Sequence, residues 1–584
     1  MTFRVVFLLY HSAVFNRFSI GEKWQVLWHG LYMDASMAGY ASLIPFLLWS
    51  FGWLIEAKTW HRILNGYGLL LIIFFSFVLS ADLEIYTNWG HRVDSAVMPY
   101  LQYPKEAFAS AYSSPLGFLV GIFLVTTILF SWSGYKLTAS ISFPEKYRIP
   151  LHLSGILFAA VLILPIRGGF QLAPMNQSSV YFSTERPLNQ AAENGVWVLM
   201  QSLLESGNDA IAREYVRSYP KDVDAFMERI SIPDGPSSQV VSSTKPNVVL
   251  IVWESLTAKV VGTLQGKYPS TPNLDQLAKD GILFTNFYAS GDRSDKGLAA
   301  ILASVPALGK VSIMANPNLT ARLSFLNKAM EKNGYQSAFM YGGELEFANM
   351  KSFMLNAGFQ KRIGKQEFPP SSYNSKWGAH DEVLFDRQLA EADKAKTPFF
   401  HTMFTLTSHE PFEVPGVANK PGESVDSLFC RSHRYTDRCL GKWIQQASKK
   451  PWWNNTLVVI VADHGHAHPG HSGESDTMKY KIPMVWYGPA LFKKGIQIPD
   501  LGSQTDLFKT LLVQLGDTNQ VLPFSRNLLS QSAQNFAFYS FRNGSVFVED
   551  KKTESVFDLQ SVSNSAQLYR QAVYARYYQQ TKPR

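Results

Sequence analysis

The chain predicts an α/β fold, a mostly parallel sheet sandwiched by helices, preceded by an all-α transmembrane domain. Three observations carry this. Apolar stretches almost free of charge crowd into the first 170 residues. From about Lys245 onward, short β-like runs alternate with helical ones, the order expected when parallel strands are joined by helices. Two strongly apolar runs, Asn247 to Trp253 and Leu457 to Ala462, stop abruptly at Glu254 and at Asp463-His464. In open α/β sheets ligands sit beyond the carboxyl ends of parallel strands, so these residues can converge on one cation.

The N-terminal stretches are Ala35 to Ile55, Ile63 to Leu83, Leu116 to Trp132 and Ile149 to Ile166. Each is long enough, or nearly so, to cross a hydrocarbon layer of about 30 Å as a helix. Val5 to Phe15 is too short to span alone and reads as a truncated first helix or an interfacial segment. Residues 1–170 are thus expected to form a domain of four to five spans. No cleavable signal pattern is evident, so the first helices would do the targeting. Lys58 and Arg62 follow the first clear span, Lys136, Lys146 and Arg148 precede the last, and Ala81 to Ser114 carries few basic residues. By the positive-inside rule both basic loops are cytoplasmic and everything after Arg167 lies outside. The expectation is a multi-pass protein of the cytoplasmic (inner) membrane whose large C-terminal part is extracytoplasmic. Few ionisable residues beyond Asp34 fall inside the spans, which argues against an ion-coupled transporter.

Residues 171–244 read as a helical linker: Val196, Leu199, Met200 and Leu203 recur at helical spacing, and Pro233-Asp-Gly-Pro-Ser-Ser marks a break. Residues 245–584 read as the catalytic domain. Its predicted strands are Val248 to Trp253, Ser337 to Tyr341, Pro398 to Leu406, Leu457 to Ala462 and Pro483 to Tyr487. Its predicted helices include Asn273 to Lys279, Ser324 to Asn333 and Tyr435 to Ala447.

A formal charge of +8 over 584 residues, without a basic stripe interleaved with stacking aromatics, argues weakly for anionic lipid and against nucleic acid. The 14% aromatic content has a plain source in interfacial Trp and Tyr. The whole cysteine supply is Cys430 and Cys439. Outside the cytoplasm they could pair, whereas nine residues apart on one helix their side chains would be too distant.

Glu254 alone could be any acid that ends a strand; its company is what gives it meaning. Gly291-Asp-Arg-Ser-Asp-Lys-Gly precedes the apolar helical stretch Leu298 to Ala303, which places Ser294 on the turn entering a helix. There a hydroxyl nucleophile meets free N–H groups and positive potential suited to a phosphoryl oxygen, although a plain serine cap would look the same. Asp463-His464-Gly is followed by His466, His468 and His471. Carboxylate and neutral imidazole together suit Mn²⁺ or Zn²⁺. One of the later histidines, His468, is assigned to substrate and the others to solvent. His409 follows a predicted strand end at the same sheet edge, where a phosphate contact is expected.

Taken together, Val-Trp-Glu254-Ser, Asp-Arg-Ser294-Asp-Lys-Gly, Thr407-Ser-His409-Glu-Pro-Phe, Val-Ala-Asp463-His464-Gly and Gln504-Thr-Asp-Leu resemble the alkaline phosphatase/sulfatase superfamily. Within it they are most similar to the lipoteichoic acid synthase branch of membrane-anchored phosphoglycerol transferases. The resemblance implies an alkaline-phosphatase-like fold and a divalent metal, Mn²⁺ first and Mg²⁺ or Zn²⁺ as alternatives, held by Glu254, Ser294, Asp463 and His464. It implies Ser294 as nucleophile, standing where the family has Thr. Arg293 and His409 take the substrate-binding positions.

One segment departs from the family. Where it has a Trp and an Arg, Gly342-Gly-Glu-Leu-Glu-Phe-Ala-Asn-Met carries Ala348 and Met350. Asn349 is then carried as a substrate-binding position, and Glu344 and Glu346 could meet a cationic head group. Cys430-Arg-Ser-His-Arg434 imitates the sulfatase Cys-x-x-x-Arg pattern, but too late in the domain, where the nucleophile's place is already taken by Ser294. The expected activity is transfer of a phosphoglycerol head group from phosphatidylglycerol, through a covalent serine, to a glycan or lipid acceptor. Phosphoethanolamine transfer and phosphodiester hydrolysis are the alternatives within the fold; a sulfatase and a non-catalytic scaffold rank below them.

Overall fold

The structure, a computed structural model, describes residues 1–51, 56–98, 114–139, 148–205, 222–231, 235–242, 245–310, 312–550, 552–557 and 564–581. Lys146 of the orientation argument, the Pro233-Asp234 part of the linker signal and the last residues of the first predicted span lie outside these. The chain divides into two compact units, residues 1–210 with the last three residues, and residues 211–581.

In the first unit three helices among the described residues are long and apolar enough to cross a membrane: Ile20–Phe51, Lys58–Trp89 and Leu116–Ala139. The fourth predicted span forms two shorter helices, Arg148–Val161 and Ile163–Arg167. Pro165 supplies the physical reason for the break, since it has no N–H to donate to Val161 and its ring crowds that carbonyl. Val5 to Phe15 is likewise split into Thr2–Tyr10 and Ser12–Phe15.

Buried charge is more plentiful here than the apolar sequence suggests. Arg4 pairs with Asp34 at 2.6 Å and Arg92 with Asp82 at 2.6 Å; Arg4, Arg92 and Asp82 are all buried. Both guanidinium groups also donate to carbonyls at the end of the helix Arg186–Ala192, Arg4 to Ala191 and Ala192 and Arg92 to Gln190. Cations at a helix carboxyl end satisfy otherwise orphaned carbonyls and oppose the dipole. These pairs therefore lock the Arg186–Ala192 helix to the bundle.

The second unit is built on an eight-stranded sheet. Its strands are β1 Asn247–Trp253, β2 Ile282–Tyr288, β3 Gln336–Tyr341, β4 Lys361–Ile363, β5 Phe399–Phe404, β6 Thr456–Ala462, β7 Lys481–Tyr487 and β8 Ile496–Ser503, in the order β4-β3-β5-β1-β6-β7-β2-β8. Only β7 runs against the rest. β1, β5 and β6 are buried at every position, as parallel strands covered on both faces must be. Pro483, inside β7, sits where the pairing with β2 slips between Phe284 and Phe287; a bulge is where a strand can accept a residue with no N–H. A separate antiparallel sheet follows, β9 Phe536–Phe541, β10 Gly544–Glu549 and β11 Lys552–Phe557.

Cys430 and Cys439 both lie on the helix Val425–Ala447 and are free thiols. Nine residues of helix separate them by about 13 Å along the axis, which excludes a bond between them.

Candidate active site

β5, β1 and β6 are neighbours, so the residues following each emerge side by side. Trp253 is in register with Ala462, which sets Glu254 beside Asp463. The Ser255 N–H donates to Asp463 Oδ1 at 2.7 Å, and the Ser255 hydroxyl donates to Glu254 Oε1 at 2.7 Å. The Glu254 N–H donates to the Thr405 hydroxyl at 2.9 Å, tying the end of β1 to the segment after β5. His464 Nε2 lies 3.4 Å from Asp463 Oδ2 and 3.7 Å from Glu254 Oε1.

Ser294 reaches this cluster from another direction. It opens the helix Ser294–Ala303, and its hydroxyl donates to Glu254 Oε2 at 3.3 Å. The helix packs against the end of β6 so closely that a Cβ on Gly297 would stand 1.7 Å from the Asp463 carbonyl oxygen. Only glycine permits that approach, so the approach itself fixes where the first turn, and with it Ser294, can stand. Gln504 braces the arrangement: its side-chain NH₂ donates to the carbonyls of Ala462 and Asp463, both at 2.7 Å, while its carbonyl accepts from the Ser290 N–H at 2.8 Å.

Glu254, Asp463 and His464 are all buried, with donor atoms within 4.8 Å of one another. Burial, and then the Asp463 carboxylate, push the Glu254 carboxyl well above the usual range. Asp463 Oδ2 is buried without a hydrogen-bond partner. Two adjoining buried carboxylates, one with an orphaned oxygen, are costly unless a cation compensates them. Together with an imidazole and a hydroxyl they fit a divalent metal of the Mn²⁺ or Zn²⁺ type.

The cluster opens into a cavity of about 320 Å³, lined also by Asp292, Arg293, Asp295, Phe347, Ala348, Ser408, His409, Glu410, Phe412 and His466. Arg293 is exposed at its rim. The His409 ring packs 4.1 Å from Trp377, and its Nδ1 lies 3.2 Å from the Glu410 carbonyl. Burial lowers its pKa, which favours neutral imidazole. Asp381 holds the loop that presents it, accepting from the N–H groups of Leu406 at 2.7 Å and Thr407 at 3.2 Å.

Three sequence assignments fall elsewhere. Asn349 is outside the cavity lining and held at φ 58, a left-handed conformation that Asn tolerates. Glu344 and Glu346 pair with Lys365 at 3.4 Å and Lys351 at 3.0 Å, and neither lines the cavity. His468 pairs with Asp426 at 2.7 Å, and His466 lines the cavity in its place. Phe412 belongs to the His409-Glu-Pro-Phe motif and is readable there; nothing in the local sequence marks Asp381 or Trp377.

Comparison with known proteins adds to this geometry. Residues 246–517 match the family model described as Sulfatase. A lipoteichoic acid synthase-like protein of Bacillus subtilis is 24% identical over 329 residues, 52% of each chain. Phosphoglycerol transferase I of Xanthomonas campestris pv. campestris is 25% identical over 377 residues, 60% of this chain and 51% of that one. The chain spans about half the length of the curated relatives it matches. A solved protein in the alkaline phosphatase superfamily from Vibrio parahaemolyticus, 23% identical, superposes with a TM-score of 0.52 over 61% of this chain and 95% of that one. Residues 246–517 are thus similar to the Sulfatase family, and their fold is shared with a solved protein of the alkaline phosphatase superfamily.

Proposed function

We propose that this chain is a membrane-bound, metal-dependent transferase that moves a phosphoglycerol head group from phosphatidylglycerol, through a covalent intermediate on Ser294, to a glycan or lipid acceptor. The observation that carries the reading is a helix-opening hydroxyl, Ser294, hydrogen-bonded to a buried carboxylate that adjoins Asp463 and His464. The curated relatives supply the head group, since they are named as a phosphoglycerol transferase and a lipoteichoic acid synthase-like protein.

A divalent cation held by Glu254, Ser294, Asp463 and His464 would lower the pKa of the serine hydroxyl and offset charge on the phosphoryl oxygens. Ser294 Oγ forms a bond to phosphorus as the P–O bond to diacylglycerol breaks; the serine proton departs and the diacylglycerol oxygen takes one up. The acceptor hydroxyl then attacks phosphorus, the P–O bond to Ser294 breaks, and the serine hydroxyl regains a proton. The start of the Ser294 helix would offer its N–H groups and positive potential to the same oxygens, and Arg293 and His409 line the cavity that would receive them. The departures at Ala348 and Met350 keep phosphoethanolamine as the alternative head group. The domain that does this stands outside the cytoplasmic membrane, following the distribution of basic loop residues.

Intact mass of the purified full chain, after incubation with Mn²⁺ and mixed phospholipids, tests this. A phosphoglycerol adduct absent from Ser294→Ala is the expected result. A phosphoethanolamine adduct would change the head group. No adduct with metal bound would replace transfer by hydrolysis or a binding role.

A further inference from the structure

We infer that the chain carries a second transition-metal site, formed by Asp426, His468 and His471 beside the active-site cavity. One donor atom from each lies within 4.8 Å of the others. None of the three belongs to the Glu254, Asp463 and His464 cluster, so the site stands or falls independently of the proposed transfer reaction.

A carboxylate with two imidazoles is a three-ligand set that leaves a fourth position open, and the imidazoles select Zn²⁺ or a similar late metal over Mg²⁺ or Ca²⁺. His468 Nδ1 is 2.7 Å from Asp426 Oδ1, and the His471 ring centroid is 4.5 Å from that of His468. In a tetrahedral zinc site with bonds of about 2.0 to 2.2 Å, donor atoms lie roughly 3.4 Å apart. No gap among them exceeds 4.8 Å, so none need close by more than about 1.4 Å, and His471, which is exposed, is free to rotate toward the other two.

The backbone already holds these residues in place. Asp426 lies in the first turn of the helix Val425–Ala447, and its second oxygen accepts from the Gly470 N–H at 3.0 Å. Lys259 clamps the loop from its other side, donating to the Ala467 carbonyl at 2.7 Å and the Ser472 hydroxyl at 3.1 Å. The loop also carries His466, whose Nδ1 accepts from the His468 N–H at 3.0 Å and which lines the cavity. A metal here would fasten that wall of the cavity to the helix.

The test is zinc stoichiometry of the full chain in detergent, stripped of metal and titrated with Zn²⁺ alone, read by calorimetry and by elemental analysis after gel filtration. Wild type should bind two equivalents. His471→Ala and Asp426→Asn should each lose one, and a Glu254→Gln/Asp463→Asn variant should lose the other. Because His471 is exposed, its variant should keep the melting curve of metal-free wild type, separating lost binding from lost folding. A single wild-type equivalent that survives His471→Ala would overturn the inference, as would two equivalents in His471→Ala. A single equivalent lost in His471→Ala and kept in the Glu254/Asp463 variant would support this site while refuting the buried one.

Discussion

Two groups of side chains in this molecule share donor chemistry, carboxylate beside imidazole, and differ in nearly everything else. Glu254, Asp463 and His464 are buried at the ends of adjacent parallel strands, their positions set by sheet register. Asp426, His468 and His471 are part-exposed, and two of the three belong to a loop. Water can solvate the second group when no cation is present, but it barely reaches the first. Burial thus makes the same donor chemistry costly inside and harmless outside: the interior carboxylates repel one another out of reach of water, whereas the outer group is solvated.

The largest expected break in this comparison follows from Asp463→Asn. At a free cation concentration about one hundred times Kd, binding adds about 2.7 kcal/mol of stability, which a thermal melt would register as a rise in Tm. Asp463→Asn should abolish the rise contributed by the buried group and raise the midpoint of the metal-free protein, because it removes one of two repelling carboxylates. A metal-free midpoint below that of wild type would show that the hydrogen bonds Asp463 accepts outweigh its repulsion with Glu254.

Gln504 tests whether the buried group depends on its supports. Replacing it with Ala leaves two buried carbonyls and the Ser290 N–H without their partner, which should cost about 1–3 kcal/mol in denaturant unfolding. Divalent-metal affinity should weaken as the end of β6 loosens; unchanged affinity would mean that Gly297 packing and the contacts with β1 and Ser255 hold Asp463 without Gln504.

A smaller effect separates interior imidazoles from surface ones by pH. Burial lowers the His433 pKa to about 3, and the Trp253 indole N–H lies 3.1 Å from its Nδ1. The unfolded chain takes up a proton near pH 6.5 while the folded chain does not until about pH 3. Stability is therefore unaffected above about pH 6.5 and falls as pH drops from there toward 3. His433→Gln should flatten that slope in urea titrations, and an unchanged slope would assign acid sensitivity to other groups.

The parts of the site legible in the sequence were those where one physical requirement dominates. β1 and β6 are buried on both faces, so they read as unbroken apolar runs that end at a charge. Ser294 was legible because a helix start needs a small polar residue before its apolar positions. β2 and β8 were not found: their pairing slips on either side of Thr285 and Asn286, and Pro499-Asp500 imitates a turn inside an edge strand, where proline is tolerated. The hairpin of β9 and β10 left a usable sign in Asn543-Gly544 between apolar runs. Asn349 stands in a left-handed conformation outside the cavity lining, and sequence adjacency does not say which of several histidines lines it.

The placement of both cysteines on one helix, too far apart to join, has a consequence for how the protein is made. With two thiols in the whole sequence and no bond between them, the sheet needs no oxidant to reach its native form and loses nothing to a reductant. Its folding is indifferent to the redox poise of the compartment in which it takes place.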